Sequence, residues 1–155
     1  MTTSTEDLIK KFQPIFYPRS IAIMGSFGRE RPQGYFVSNI LIGAGFKGEL
    51  YPVSRSGGEL PGHRIYPDLR SIPGPIDQVY VCIPRHLLPD LLDECAALQV
   101  KAMSFFTAGF SEFSEEGRAM EELMLEKARK GGFNLIGPNC IGAYSPEINM
   151  MFSLP

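Results

Sequence analysis

Apolar residues along this chain fall into two alternating patterns. Five short apolar runs predict strands at 20–24, 49–53, 78–83, 102–107 and 133–136. The third run is apolar on both faces, as expected of a central parallel strand that helices cover. Segments with apolar residues at helical spacing follow most of the runs. This alternation predicts the α/β class: a Rossmann-like, doubly wound, mainly parallel sheet of about five strands with helices on both faces.

Three helices are predicted between these strands. The first spans 35–44 and stops at Gly45, a residue type that readily takes the left-handed conformation after a helix. The second spans 87–98, and the third begins after Ser114, whose hydroxyl can cap a helix N-terminus. Residues 54–77 are rich in Gly, Pro and Ser, and this composition predicts a structured connection with at most one short helix.

The N-terminal residues predict a separate short helix. Ser4 can cap it, and Pro14 and Pro18 are expected to end it before the first strand. We therefore expect residues 1–17 to form an N-terminal helical arm and residues 18–155 to form one Rossmann-like domain.

Composition narrows the class of protein. The chain has 155 residues, of which 44% are hydrophobic and 21% are charged, and this suits one globular core. Its net charge of −2 predicts no broad basic face for nucleic acid. The absence of a long apolar run predicts no membrane span, and the three cysteines show no C-x-x-C spacing, so a reducing, cytoplasmic location is expected. Two distant histidines, His63 and His86, do not form a metal-site pattern, and we expect no metal.

Candidate binding residues follow the predicted strands, because ligands of open α/β sheets lie at the carboxyl ends of the strands. A glycine-punctuated loop after the first strand leads into a helix, an arrangement that can cradle phosphate with backbone N–H groups. Glycine turns also occur where nothing binds, so this loop alone is weak evidence. The candidate residues at the first three strand ends are Gly25, Ser26, Phe27, Gly28 and Arg29; Ser54, Arg55 and Ser56; and Pro84. Those at the fourth and fifth ends are Phe106, Thr107 and Ala108, then Asn139 and Cys140.

Arg55 bears on which nucleotide these residues bind. Sites for NAD usually have a carboxylate at the end of the second strand, whereas a phosphorylated ribose needs a cation there. Arg55 therefore favours a ribose phosphate, either the 2′-phosphate of NADP or the 3′-phosphate of coenzyme A. The alternative is that Arg55 is a solvated loop arginine with no ligand.

Several motifs resemble the coenzyme A-binding domain of ADP-forming acyl-CoA (acetate–CoA) synthetases, which is related to the succinyl-CoA synthetase alpha subunit. The resemblance runs from about Phe12 to the end of the chain. Its motifs are Phe16-x-Pro18-Arg19-Ser20-Ile21-Ala22, Gly45-Phe46-Lys47-Gly48, Tyr51-Pro52-Val53, Gly57-Gly58-Glu59, Tyr66-Pro67, Thr107-Ala108-Gly109-Phe110 and Gly137-Pro138-Asn139-Cys140-x-Gly142.

The resemblance implies coenzyme A as the ligand. It places the loop with Phe27, Gly28 and Arg29 at the nucleotide phosphates and a basic group after the second strand at the 3′-phosphate. Pro84 and residues 106–108 would flank the adenine and the pantetheine arm. Asn139 and Cys140 would lie where the thiol meets the acyl phosphate.

The resemblance also implies what this chain does not supply. The full enzymes join an acid, coenzyme A and ATP through an acyl phosphate and a phosphohistidine, with ATP-grasp domains or subunits as partners. The family's phosphorylated histidine belongs to a later domain, and neither His63 nor His86 matches it. The family often has Asn-Pro-Lys where this chain has Ser54-Arg55-Ser56, so Arg55 would replace the usual lysine. No catalytic residue is assigned.

Three hypotheses follow. The first is the coenzyme A-binding domain of an ADP-forming acyl-CoA ligase, which would not be catalytically complete alone. The second is an NADP-binding oxidoreductase domain with the same fold and the same arginine. The third is a stand-alone regulatory module that binds coenzyme A or acyl-CoA.

Overall fold

The sheet consists of five parallel strands. The computed structural model describes residues 4–28 and 33–153. In chain order the strands are β1 (Ser20–Met24), β2 (Glu49–Val53), β3 (Gln78–Val81), β4 (Ala102–Phe105) and β5 (Asn134–Ile136), arranged spatially as β2-β1-β3-β4-β5. The helices are α1 (Thr5–Phe16), α2 (Gln33–Ala44), α3 (Leu88–Ala97) and α4 (Glu115–Gly131). The predicted five-stranded, parallel α/β fold is confirmed.

Both faces of the sheet are covered, which explains the continuous apolar runs of its strands. Side chains of a strand alternate between faces, so Ala22 and Met24 join the cluster under α3 and α4, whereas Ile21 and Ile23 join a second cluster. The second cluster contains residues of α2 and the C-terminal Phe152, whose ring stacks on Tyr80 at a centroid distance of 4.2 Å. The sheet is therefore doubly wound.

Several element boundaries differ from the sequence prediction by one to three residues. Pro14 does not end α1, because the helix runs to Phe16 and closes with the Tyr17 N–H donating to the Gln13 carbonyl at 2.7 Å. A proline in the last turn removes only one helical hydrogen bond. β3 and β4 end two residues earlier than expected, at Val81 and Phe105. The chain leaves the sheet there and forms the walls of a cleft.

Helix α1 begins as predicted and lies against β5, the edge strand at the opposite side of the sheet from β2. Ser4 caps it, and Ser4 and Asp7 exchange side chain-to-backbone hydrogen bonds as a capping box. The Asn134 side chain of β5 donates to the Lys11 carbonyl at 2.9 Å, and Ile15 is buried. That residues 1–17 act as a separate arm stays a prediction. Within the ranges described, no helix has both the length and the apolar character needed to cross a membrane.

Candidate functional site

A cleft of about 790 Å³ opens at the carboxyl ends of the strands. It lies where the strand order reverses, between β1 and β3, which is the usual ligand position in this class of sheet. The described residues that line it are Met24, Gly25, Ser26, Gln33, Val53, Ser54, Arg55, Ser56, Cys82, Ile83, Pro84, Leu87, Leu91, Glu94, Phe106, Thr107 and Ala108. The structure thus brings together predicted residues from four strand ends.

The loop after β1 lies in close contact with the start of α2. The Gly25 N–H donates to the Val53 carbonyl at 3.2 Å, and the Tyr35 N–H of α2 donates to the Ser26 carbonyl at 3.1 Å. Gly25 and Ser26 line the cleft beside the start of α2. Their contact with a phosphate stays a prediction.

The other residues of that loop are placed differently. Phe27 is buried in the second core cluster, and its ring lies under Gly34, where a Cβ atom would come within 2.7 Å of it. The Phe27 side chain therefore packs in the core against Gly34 and does not line the cleft. Gly28 is exposed and also lies outside the lining, and Arg29 falls outside the described residues. Their contact with a ligand stays a prediction.

The end of β2 contributes two hydroxyls and a cation. The hydroxyls of Ser54 and Ser56 lie 3.1 Å apart, and the Ser54 N–H donates to the Tyr66 carbonyl at 2.9 Å, which anchors the turn. Arg55 is exposed on the rim of the cleft. Among residues 4–28 and 33–153, Arg55 has no salt-bridge or hydrogen-bond partner, so its guanidinium is available to an anion.

The ends of β3 and β4 form the opposite wall. The predicted binding residues Pro84, Phe106, Thr107 and Ala108 all line the cleft, and their contact with a ligand stays a prediction. The Thr107 hydroxyl donates to the Ile83 carbonyl at 2.7 Å. Its proton therefore joins the segments that follow β3 and β4 within this wall, and its oxygen keeps only acceptor capacity for a ligand.

Apolar side chains that the sequence analysis did not assign form much of the cleft surface. Leu87 precedes α3 and Leu91 lies on its first turns, while Ile83 follows β3. Glu94, three positions after Leu91 on the same helical face, adds a carboxylate whose nearest cation is Arg70 at 3.7 Å. Only packing shows that this face of α3 reaches the cleft.

A second layer of contacts holds the wall after β4. The Glu112 carboxylate accepts from the Gly109 N–H at 2.8 Å and from the Phe110 N–H at 2.9 Å. These backbone hydrogen bonds lower the pKa of Glu112, and the one from Gly109 has the largest effect. From the β3 side, Nη1 of Arg85 donates to the Gly109 carbonyl. Arg85 and Glu112 thus fix the turn that follows Ala108.

Asn139 and Cys140 do not line this cleft. The Asn139 N–H donates to the Thr107 carbonyl at 3.1 Å, and the Cys140 N–H donates to the Phe105 carbonyl at 3.0 Å. Asn139 has a φ of 50°, and the Cys140 sulfur accepts from the Gly142 N–H at 3.4 Å. The two residues form a turn that packs against the end of β4, and their contact with a ligand stays a prediction.

Cys82 is a titratable group of the cleft whose pKa is shifted. The half-buried thiol of Cys82 lines the cleft, and burial raises its pKa to about 12, so it is protonated at neutral pH. Within the described ranges, no three His, Cys, Asp or Glu side chains are grouped so that they could hold a metal ion. What this arrangement can do chemically is bind an anionic, partly apolar ligand.

Comparison with known proteins gives the family and the fold of this chain. Residues 19–146 match the family described as a CoA binding domain. The alpha subunit of an ADP-forming acetate–CoA ligase from Pyrococcus furiosus is 33% identical over 146 residues, which cover 90% of this chain and 32% of that protein.

Solved structures give the same relationship. An acetyl-coenzyme A synthetase from Ca. Korarchaeum cryptofilum, solved with phosphate and ADP, superposes with a TM-score of 0.82 at 28% identity. The match covers 92% of this chain and 31% of that one. The protein PH0766 from Pyrococcus horikoshii has the same TM-score at 33% identity, over 89% of this chain and 32% of its own. The chain thus spans about a third of the length of these relatives, and it belongs to the CoA-binding domain family, as a homologue of ADP-forming acetate–CoA ligase alpha subunits.

Proposed function

We propose that the cleft binds coenzyme A and that the chain serves as the coenzyme A-binding domain of an ADP-forming acyl-CoA synthetase. In that reaction coenzyme A is a substrate: acid, coenzyme A and ATP give acyl-CoA, ADP and phosphate. The phosphohistidine and ATP-grasp functions would belong to other domains or subunits. This chain would bind and orient the thiol carrier.

The donors of the cleft suit the two phosphate regions of coenzyme A. Arg55, with the hydroxyls of Ser54 and Ser56, would hold the 3′-phosphate through charge-assisted hydrogen bonds. Gly25 and Ser26, next to the start of α2, would lie against the pyrophosphate, where the positive end of the helix dipole favours negative charge.

The apolar surface of the cleft suits the rest of the molecule. Leu87, Leu91 and Phe106 offer flat or aliphatic contact to an adenine ring and to the pantetheine chain. Pro84 and Ala108 border the same space without adding charge. The combination of a cationic rim and an apolar floor is the chemistry that an amphiphilic nucleotide requires.

Arg55 carries the proposal, since it is an exposed cation without a protein partner among the described residues and it follows β2 directly. NADP, whose ribose also bears a phosphate, is the second ligand compatible with this position. The apolar floor next to Leu91 favours the pantetheine chain over a nicotinamide ring, which needs polar contacts to its amide.

Isothermal titration calorimetry with coenzyme A and dephospho-coenzyme A tests the role of Arg55. We expect coenzyme A to bind about tenfold more tightly, because a hydrogen bond to a charged group contributes roughly 1.5–3 kcal/mol. Arg55→Gln should remove this difference and leave dephospho-coenzyme A binding unchanged. Arg64→Gln, which changes an arginine outside the cleft lining, is the matched control and should behave as the unchanged protein.

Two results would contradict the proposal. Equal affinities for the two ligands would remove the assigned role of Arg55. An enhancement of NADPH fluorescence on mixing, together with no heat from coenzyme A, would favour the hypothesis of an NADP-binding oxidoreductase domain.

A further inference from the structure

We infer that a basic groove along the free edge of β5 is a docking surface for an extended, acidic segment of a polypeptide partner. The groove lies at the end of the sheet opposite to the cleft, because Lys101 and Asn134, which line it, stand at the beginnings of β4 and β5. Its volume is about 480 Å³. This inference is independent of the proposed function.

The groove is built by two helices on either side of an edge strand. β5 pairs only with β4, so its other edge is free of strand partners in the described sheet. Leu135 packs toward the cluster beneath α4, whereas the neighbouring Asn134 side chain reaches the Lys11 carbonyl of α1 at 2.9 Å. Because successive side chains of a strand point to opposite faces, α1 and α4 flank the edge from the two faces of the sheet.

The charged side chains in the described lining of this groove are all positive. Four of the chain's 15 basic residues line it, namely Lys10, Lys11, Lys101 and Arg129, and its described lining contains no carboxylate. None of the four forms a salt bridge with a carboxylate of the described residues. The chain as a whole carries a net charge of −2, so this local excess is a property of the groove. Charge complementarity therefore selects an acidic occupant.

The strand edge offers a specific backbone contact as well. The Asn134 N–H points to β4, where it donates to the Lys101 carbonyl at 2.9 Å. Backbone groups of successive residues in a strand point in opposite directions, so the N–H and C=O of Leu135 point toward the free edge. An extended segment that paired with Leu135 would add to the sheet as a further strand.

The positions of the cations favour a polypeptide over a small anion. Lys10 and Lys11 come from α1, Arg129 comes from α4 and Lys101 precedes β4, so the positive charge is spread along the edge. A strand laid against β5 would present alternate side chains to the two helices. Glutamates on both of its faces would then meet lysines on one side and Arg129 on the other.

The probe is a fluorescein-labelled heptapeptide with the sequence Glu-Glu-Val-Val-Val-Glu-Glu, which places glutamates on both faces of an extended strand. Its binding is followed by fluorescence anisotropy at low salt. We expect saturable binding that weakens as salt screens the charges. The double variant Lys11→Glu with Arg129→Glu should bind about tenfold more weakly, since each exposed ion pair contributes up to roughly 1 kcal/mol. The matched control, Lys47→Glu with Arg118→Glu, changes the net charge equally at sites outside the groove and should lose little affinity.

Two further arms separate docking from simpler attraction. A peptide whose central backbone nitrogen is methylated cannot donate a hydrogen bond from that nitrogen to the free edge of β5. We expect this peptide to bind several-fold more weakly. Coenzyme A in excess should leave peptide binding unchanged, because its proposed cleft is at the other end of the sheet. Three results would overturn the inference: equal losses in the two double variants, equal binding of the methylated peptide, or displacement of the peptide by inorganic tripolyphosphate at the same affinity.

Discussion

Gly25 and Gly34 lie in backbone contact: a Cβ atom on Gly25 would come within 2.8 Å of the Gly34 Cα atom and 2.9 Å of its nitrogen. This approach brings the end of β1 against the start of α2, which places Gly25 and Ser26 on the cleft. The absence of side chains, not an unusual backbone angle, is what both positions require.

Replacement of Gly25 by alanine should therefore damage fold and site together. We expect Gly25→Ala to lower the free energy of unfolding by about 1–3 kcal/mol, the usual cost of forcing atoms into a packed interface. The matched control is Gly43→Ala in α2, where the added Cβ would have no atom within 4 Å beyond its chain neighbours and the backbone of its own helix. That variant should be stabilised by about 0.5–1 kcal/mol, because alanine favours helix. Urea unfolding measures both, and a Gly25→Ala protein of unchanged stability would disprove the contact.

A buried carboxylate, Asp77, ties the starts of two central strands together. It accepts from the Arg19 N–H at 2.9 Å, from Nε at 2.9 Å and from Nη2 at 3.1 Å, and its own N–H donates to the Ser20 hydroxyl at 2.9 Å. Burial alone would raise the pKa of Asp77, but the hydrogen bonds and charge of Arg19 outweigh burial and lower it below 3.8. The ionised form is thus the one that the fold prefers.

Stability should consequently fall in acid. A group with a lowered folded pKa contributes fully above its unfolded pKa, and the contribution disappears as pH falls through the folded value. We expect Asp77→Asn to lower the free energy of unfolding at pH 7 by about 1–3 kcal/mol. The difference between the two proteins should shrink as pH falls from the ordinary carboxyl pKa through the lowered pKa of folded Asp77, where Asp77 itself becomes protonated. A difference that is constant with pH would show that the ionised carboxylate has no role.

We expect the Glu112 carboxylate to hold the turn that forms the cleft wall after β4. Glutamine has one acceptor oxygen, so Glu112→Gln leaves one of the Gly109 and Phe110 N–H groups without its carboxylate partner. We expect faster amide hydrogen exchange at Gly109 and Phe110 and weaker binding of coenzyme A. Because the folded pKa of Glu112 is lowered, acidification of the unchanged protein should reproduce the effect only once pH falls through that lowered pKa.

The control for this experiment is Glu122→Gln, which removes an exposed carboxylate of α4 outside the cleft lining. It should leave both exchange rates and affinity unchanged. Unaltered exchange at Gly109 in the Glu112→Gln protein would mean that the carboxylate does not hold the turn.

Cys82 reports on occupation of the cleft through the reactivity of its own thiol. Its thiol is half-buried on the cleft, and burial raises its pKa to about 12, so alkylation by iodoacetamide at pH 8 should be slow. The rate should rise about tenfold per pH unit, since the thiolate is the reactive form. Coenzyme A should slow the reaction further. Mass spectrometry of Cys140→Ser protein isolates Cys82 from the other partly exposed thiol, and a rate that coenzyme A does not change would place the ligand elsewhere.

Much of the fold was predictable because its signals are local. The apolar runs that became β1 to β5 can be buried only as covered strands, and Ser4 and Ser114 cap helices through their own hydroxyls. Boundaries were less predictable at Pro14, since the cost of one lost hydrogen bond near a helix end is small enough for packing to override. The motifs that resemble the CoA-binding family were likewise visible in the sequence.

The sequence by itself determined the strands, the helices and the family, because these depend on which residues are apolar, how they are spaced and which motifs they form. Only the tertiary structure decided that Leu91 and Glu94 reach the cleft, that the Phe27 ring turns into the core and that Asn139 and Cys140 stand outside the lining. It also decided that Lys11, Lys101 and Arg129 meet along β5. The physical reason is that strand order and helix packing are selected by burial between residues far apart in the chain, and local spacing does not encode those contacts.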